Sequence, residues 1–297
     1  MTDRVALTGN TSGARGMRQV LRCQLETALA EMPGRGASDE EIHEARKRLK
    51  AARATLRLLR PLLSEAGYRH ENRALRDAAR SLSAARDATV LVSTLGELAQ
   101  QAKGARERLG LAALASRLRR DASRTRNELA RGGLRKSAGA VRTALGALDN
   151  WRAPASGWKP VRKALRTTYR QGRRCARASA RRDDGATLHE WRKRAKYLRS
   201  QLEVIAPVQH ATIAALSRKL HELSDHLGDE HDLAVLSDLA QRHGREIGRG
   251  AGGALQKVIA SKRRKLRQRA LEVGLPLYAE KPRHFAARLR RYFQEWP

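Results

Sequence analysis

The chain has 297 residues, 62 Lys or Arg against 30 Asp or Glu, and a formal net charge of +32 at pH 7. Apolar residues make up 41% of it, too many for a disordered basic tail, yet no window approaches the 18 apolar residues of a membrane span. Charge of this size makes a polyanion the expected partner: nucleic acid, an anionic membrane or a phosphate polymer.

Residues 1–15 read as a loose leader without the apolar core of a signal peptide. Ala, Leu and Arg then dominate and Pro is scarce, which favours helix, and no stretch alternates with the period of two that a sheet needs. The first predicted helix covers 16–31 and stops at MPGRGAS. Ser38 opens the next, with Glu41 three residues on as in a capping box, and this helix reaches Pro61. Further helices are predicted over 68–83, 86–102, 104–131 and 134–148. NWRAPASGWKP, 150–160, is rich in turn residues and reads as a linker. Beyond it come helices over about 158–180, 186–205, 208–227, 230–245, 252–273 and 281–294. Cys23 and Cys175 form neither a disulfide framework nor a metal spacing, so reduced thiols in a cytoplasm are expected.

The second series repeats the first. A shift of 146 residues lays His43, Glu44, Arg46, Lys47, Arg48, Lys50, Arg53, Leu56 and Pro61 on His189, Glu190, Arg192, Lys193, Arg194, Lys196, Arg199, Leu202 and Pro207. A shift of 145 lays LSAARDATVL, from Leu82, on LGDEHDLAVL, from Leu227. The expected organisation is therefore two homologous helical halves, 16–149 and 161–297, packed about a pseudo-two-fold axis.

The repeated helix has two faces. At about 100° per residue, His43, Arg46, Lys50, Arg53 and Arg57 share one sector, and Ala45, Leu49, Ala52, Leu56 and Leu59 lie opposite. In the second copy His189, Arg192, Lys196 and Arg199 repeat the polar stripe, while Trp191, Ala195, Leu198, Leu202 and Ile205 repeat the apolar one. Each helix is expected to pack one side into its bundle and to present a cationic rail on the other. Surface helices normally mix charge signs, because like charges at i,i+4 destabilise them. The first rail, about 21 Å long, suits a linear anion. Arginine supplies forked donors to phosphate oxygens, lysine a point charge, and a histidine gains charge beside a polyanion. On the preceding helices Arg18 and Arg22, and Arg166, Arg170 and Arg173, are placed to line the same groove; Lys47 and Lys193 flank the rails.

Two helices opening H-x-x-R-K, each followed one helix later by L-(G/S)-x-x-(R/H)-D, resemble the CHAD domain, the conserved histidine α-helical domain. The resemblance runs from about Gly16 to Phe293. HEWRKRAKYLRSQLE in the second half is its most specific part; in the first half Ala51 and Ala52 stand where many members carry Arg and Leu. It implies an all-α fold of two helical bundles with a basic central groove or pore. It also implies binding of inorganic polyphosphate, with cytoplasmic polyphosphate granules as an expected location. Many members carry a CYTH-type triphosphatase domain upstream. Its ExExK acidic strand is absent here, so a stand-alone CHAD protein without that machinery is expected.

Other chemistries are weaker. HELSDHLGDEHD, His221 to Asp232, gathers histidines and acids, but the histidines point in different directions and Gly228 is expected to break the helix. No metal or cofactor is therefore expected, and Asp87 and Asp232 are read as helix-start residues or partners for Arg. No phosphate-cradling Gly loop, carboxylate cluster or nucleophile with its base is present, so no enzyme is expected. Sequence-independent nucleic-acid binding is the alternative function: the charge permits it, but stacking aromatics are few. A membrane-surface role lacks the apolar aromatic faces that it needs.

Overall fold

The computed structural model describes residues 13–32, 38–100, 102, 104–128, 132–149, 151, 157–182, 184–205 and 211–294. Among them are eleven α-helices and no strand: α1 Gly13–Ala30, α2 Asp39–Leu59, α3 Glu65–Gln100, α4 Ala105–Glu128, α5 Leu134–Asp149, α6 Lys159–Arg181, α7 Gly185–Val204, α8 Ala211–Arg242, α9 Gly244–Ile247, α10 Arg249–Leu277 and α11 Pro282–Gln294. A single 3-10 turn, Arg60–Leu62, follows α2. No helix of the described residues is long and apolar enough to cross a membrane. Most of the proposed leader, and the middle of the 150–160 segment, lie outside the described residues; α1 begins at Gly13 and α6 at Lys159.

Two expected helix breaks are absent. The stretches predicted as 68–83 and 86–102 form one helix, α3, and those predicted as 208–227 and 230–245 form α8, with Gly228 inside it. A glycine in a helix interior costs about 1 kcal/mol relative to alanine, and burial on both sides of it outweighs that. Leu220, Leu223 and Leu227 sit in one core cluster, and Leu233, Leu236 and Ala240 continue the same stripe into a second. α3 does likewise, with Leu75 and Leu82 in the first cluster and Leu95 and Leu98 in the second. Local sequence breaks a helix only when tertiary packing does not span the weak point.

The larger cluster joins α1, α2, α5, α6, α7, α11 and the nearer ends of α3, α8 and α10; the smaller joins the far ends of α3, α8 and α10 with α4 and α9. Both draw on helices from each side of the 150–160 segment. Neighbours recur: α1 packs on α2 and α2 on α3, as α6 packs on α7 and α7 on α8. α2 and α7 also pack on each other. Where the stripe of α8 passes between the clusters it carries Glu230, whose carboxylate accepts from Arg263 of α10 at 2.8 Å. That pairing is what makes a buried carboxylate tolerable there.

Gly274 of α10 fixes how closely the helices approach. A Cβ there would lie 2.3 Å from the ring of Trp191, which is fully buried. The helix ends of the two rails are set by their caps. The Ser38 hydroxyl accepts from the Glu41 N–H at 3.1 Å, and the Glu41 carboxylate accepts from the Ser38 N–H at 2.6 Å, the predicted capping box. Asp184 caps α7, accepting from the Thr187 N–H at 2.6 Å and its hydroxyl at 2.7 Å.

Candidate functional site

Burial fixes which way the rails face. Ala45, Leu49, Ala52, Leu56 and Leu59 of α2, and Trp191, Ala195, Leu198, Leu202 and Ile205 of α7, are each 3% exposed or less. Apart from Arg46, the intervening cations are turned away from these apolar residues by the helical period. Because α2 and α7 pack on each other, the two stripes come within electrostatic range.

The α7 stripe meets α8. The ring of His189 lies 4.8 Å from that of His231, tilted by 38°. Burial first, then Arg192 and Lys50, push the Lys196 ammonium down to about 8; Asp232 pulls the other way. Burial again leads for His231, followed by Arg192, His189, Lys196 and Arg263, and takes it to about 4. His189 is lowered by burial, Lys193 and Arg192. The Nδ1 of His189 and the Nε of Arg192 are buried and have no hydrogen-bond partner in the protein. Lys196, His189 and His231 share one property: each is harder to charge than it is in water, first because it is buried and then because other cations occupy its surroundings.

The α2 stripe is more open at its centre, where Lys50 is exposed. Its far end is closed by an aromatic ring. The Arg57 guanidinium lies 3.7 Å from the centroid of Tyr197 of α7, and donates to the Arg53 carbonyl at 3.0 Å. Arg53 donates to Asn72 of α3 at 3.4 Å; burial, then Arg57, lower it to about 10. His43 is half-buried. Arg46 departs from the expected outward rail: at 6% exposed it belongs to the packed part of α2.

The flanking cations are held by their own helices. Lys47 pairs with Glu44 at 3.0 Å and Lys193 with Glu190, the same i,i+3 pair in both copies. Arg199 pairs with Glu203 at 2.8 Å. Arg18 donates to the carbonyls of Leu148 and Asp149, and Arg22 pairs with the Asp149 carboxylate, so both close the end of α5. Arg173 does this for α10, donating to the Tyr278 carbonyl at 2.9 Å. Cations at helix C-termini satisfy free carbonyls and the helix dipole. Arg166 and Arg170 are exposed on the outer face of α6. Among the described residues no three His, Cys, Asp or Glu converge as metal ligands; His221 pairs with Asp225 at 3.6 Å on its own helix.

A family model described as the CHAD domain matches residues 19–241. The chain belongs to the CHAD family. No curated protein matches it. Among solved structures it is similar to the CHAD domain of the plant Ricinus communis, at 18% identity and a TM-score of 0.64, over 92% of each chain. It is also similar to PptA from Streptomyces chartreusis, at 17% identity and a TM-score of 0.65, over 93% of this chain and all of that one. At these identities the likeness is one of fold, and it is the all-helical CHAD fold described above.

Within that fold, sequence reasoning missed three members of the site. The sequence offers His231 only as a metal ligand and Asp232 as a helix-start residue or a partner for Arg, and Arg263 is not among the expected site residues. Asp232 lies in mid-helix, close enough to Lys196 to favour its charge. The aligned LGDEHD stretch did hold the signal for His231 and Asp232. What it lacked was the packing of α8 on α7 that turns them toward His189 and Lys196. Asp87 carries the aligned position on α3; its side chain lies outside the described set.

Proposed function

We propose that this CHAD protein binds inorganic polyphosphate in the groove where the α2 and α7 rails face each other, and that it does so without catalysing a reaction. The observation that carries this reading is the crowding around the buried Lys196: Arg192, Lys50 and Arg199 lie near it, Asp232 is the carboxylate opposing them, and burial first, then these cations, take its pKa to about 8. Such a cluster is unfavourable when empty and is relieved by a dense anion. A chain of phosphates supplies one negative charge after another along the stripe, which a single carboxylate or metabolite does not. Arg192 with its unpartnered Nε, Lys196 and Lys50 are the central contacts, His189 and His231 donate when protonated, and Arg53 and Arg57 extend the track. Arg18, Arg22 and Arg173 contribute field more than contacts, since their guanidinium groups are committed to helix ends. The halves 16–149 and 161–297 are proposed to be related by a near-two-fold rotation that makes one site from both. The cytoplasm is the proposed location.

The test is a calorimetric titration of long-chain polyphosphate into wild type, Lys50→Glu/Lys196→Glu and a control double reversal on exposed residues, Arg135→Glu/Lys257→Glu. Lost charge-assisted contacts are worth roughly 1.5–3 kcal/mol each, so the rail pair is expected to lose about two orders of magnitude or more in affinity. The control pair should lose far less. Equal losses would mean that net charge alone binds the polymer, and the groove would fall.

A further inference from the structure

α6 is unlike its counterpart α1. It holds nine Lys or Arg and no Asp or Glu. Val161, Leu165, Thr168, Tyr169, Gly172 and Ala176 bury one side of it, and Lys163, Arg166, Arg170, Arg174, Arg177 and Arg181 are exposed on the other. From Lys163 to Arg181 this stripe is about 27 Å long. No carboxylate among the described residues pairs with any of these six. α1, which packs on α2 as α6 packs on α7, exposes Arg15, Gln19, Glu26 and Ala30 instead. Overall basicity therefore does not explain the α6 face, since the equivalent surface of the same molecule is mixed.

This face is not the rail groove. α6 packs against both α2 and α7. Its Gln171 accepts from Arg194 at 3.0 Å, and Arg194 lies about 160° around α7 from Lys196. The face of α7 that carries Lys196 is thus turned away from α6. A depression lined by Arg170, Arg173, Arg174, Arg177, Arg181 and Pro282 opens along the stripe where α11 begins.

We propose that the outer face of α6 is a second polyanion-binding surface, and that its ligand is the phosphate backbone of duplex nucleic acid, held without reading sequence. The stripe is straight, open and almost all arginine, whose forked donors suit phosphodiesters. It lies on an outward face, where a stiff, wide polyanion reaches cations that a narrow groove between helices would deny it. An anionic bilayer fits less well. The exposed large apolar side chains among the described residues are Leu109 and Leu275, on α4 and α10, so nothing on this face inserts into lipid.

The test measures the salt dependence of binding to a random-sequence DNA duplex by fluorescence anisotropy. Each lost phosphate contact lowers the slope of log K against log salt by about 0.9. Lys163→Gln/Arg174→Gln/Arg177→Gln/Arg181→Gln should lower it by about 3.6, with polyphosphate affinity within about twofold of wild type. Arg174→Lys/Arg177→Lys/Arg181→Lys should keep the slope. If the four changes lower the melting temperature, Lys163→Gln/Arg177→Gln is used instead, with an expected drop of about 1.8. An unchanged slope overturns the proposal. Parallel loss of polyphosphate binding overturns the separateness of the two surfaces. Loss of binding to phosphatidylserine vesicles with duplex binding intact assigns the face to a membrane, against this account. Should wild type ignore polyphosphate, the rail reading falls and the duplex measurement still decides this one.

Discussion

α2 and α7 carry the same motif and do different work with it. Lys50 is exposed, while its equivalent, Lys196, is held at about 8 by burial and then by the cations Arg192 and Lys50. The apolar faces differ in the same direction. Ala45 stands where α7 has Trp191, whose ring fills the space that Gly274 leaves open. Burial is distributed differently in the two stripes: the second copy encloses its central lysine, whereas the first buries Arg46, whose equivalent Arg192 is only half-buried. A duplicated motif has kept its residues, and the packing around each copy has set their energies.

The largest test of that difference is structural. Trp191→Ala gives α7 the residue of the first copy and leaves a cavity beside Gly274. Truncating a buried aromatic costs about 3–5 kcal/mol, which thermal or urea unfolding will show as a large loss. A loss under about 1 kcal/mol would mean that the Trp191 ring does not anchor α7 as its burial beside Gly274 implies.

Next is binding. Lys196→Met should weaken polyphosphate binding by roughly 3 kcal/mol, over a hundredfold, and Lys50→Met by roughly 1.5 kcal/mol, about tenfold, because the enclosed contact is less screened. Equal effects of the two would erase the distinction between the rails.

The third concerns acid. Burial, Arg192, His189, Lys196 and Arg263 take His231 from its ordinary value near 6.5 to about 4. Between those values the unfolded chain binds a proton that the folded protein resists, so stability rises with pH across that window and is fully present above it. His189 acts in the same direction. Urea unfolding from pH 4 to 7 should therefore show a steeper rise for wild type than for His231→Asn.

The smallest effect belongs to the contact that joins the copies. Arg57 over Tyr197 is a cation–π pair, worth roughly 1–2 kcal/mol when partly desolvated. A double-mutant cycle with Arg57→Met and Tyr197→Leu should return a coupling of about 1 kcal/mol. A coupling near zero would leave the rails merely adjacent.

The helical period alone identified the ten apolar positions of the two repeated helices, and all ten are buried. The capping box was equally local and equally legible. Gly228 was misread because a glycine marks a weak point, whereas the continuation of α8 is decided by leucines on both sides of it entering two separate clusters. For the same reason Arg46 was placed with the outward cations. Helical phase gives a direction, but not how far neighbouring helices close over it. His231 and Arg263 were invisible as site residues because each comes from another helix, and only tertiary packing brings them to Lys196.

The central claim is that polyphosphate lies against the crowded cations of α7. Side-chain NMR of isotope-labelled lysine, following the Lys196 signals against pH, tests it at the atom concerned. Free protein should titrate near the value of about 8 set by burial and its cationic neighbours. Saturation with polyphosphate should raise that value, because the anion favours the charged ammonium, and proton uptake should accompany binding at mildly alkaline pH. A Lys196 titration that stays at about 8 while calorimetry shows polyphosphate bound would place the polymer elsewhere and contradict the account.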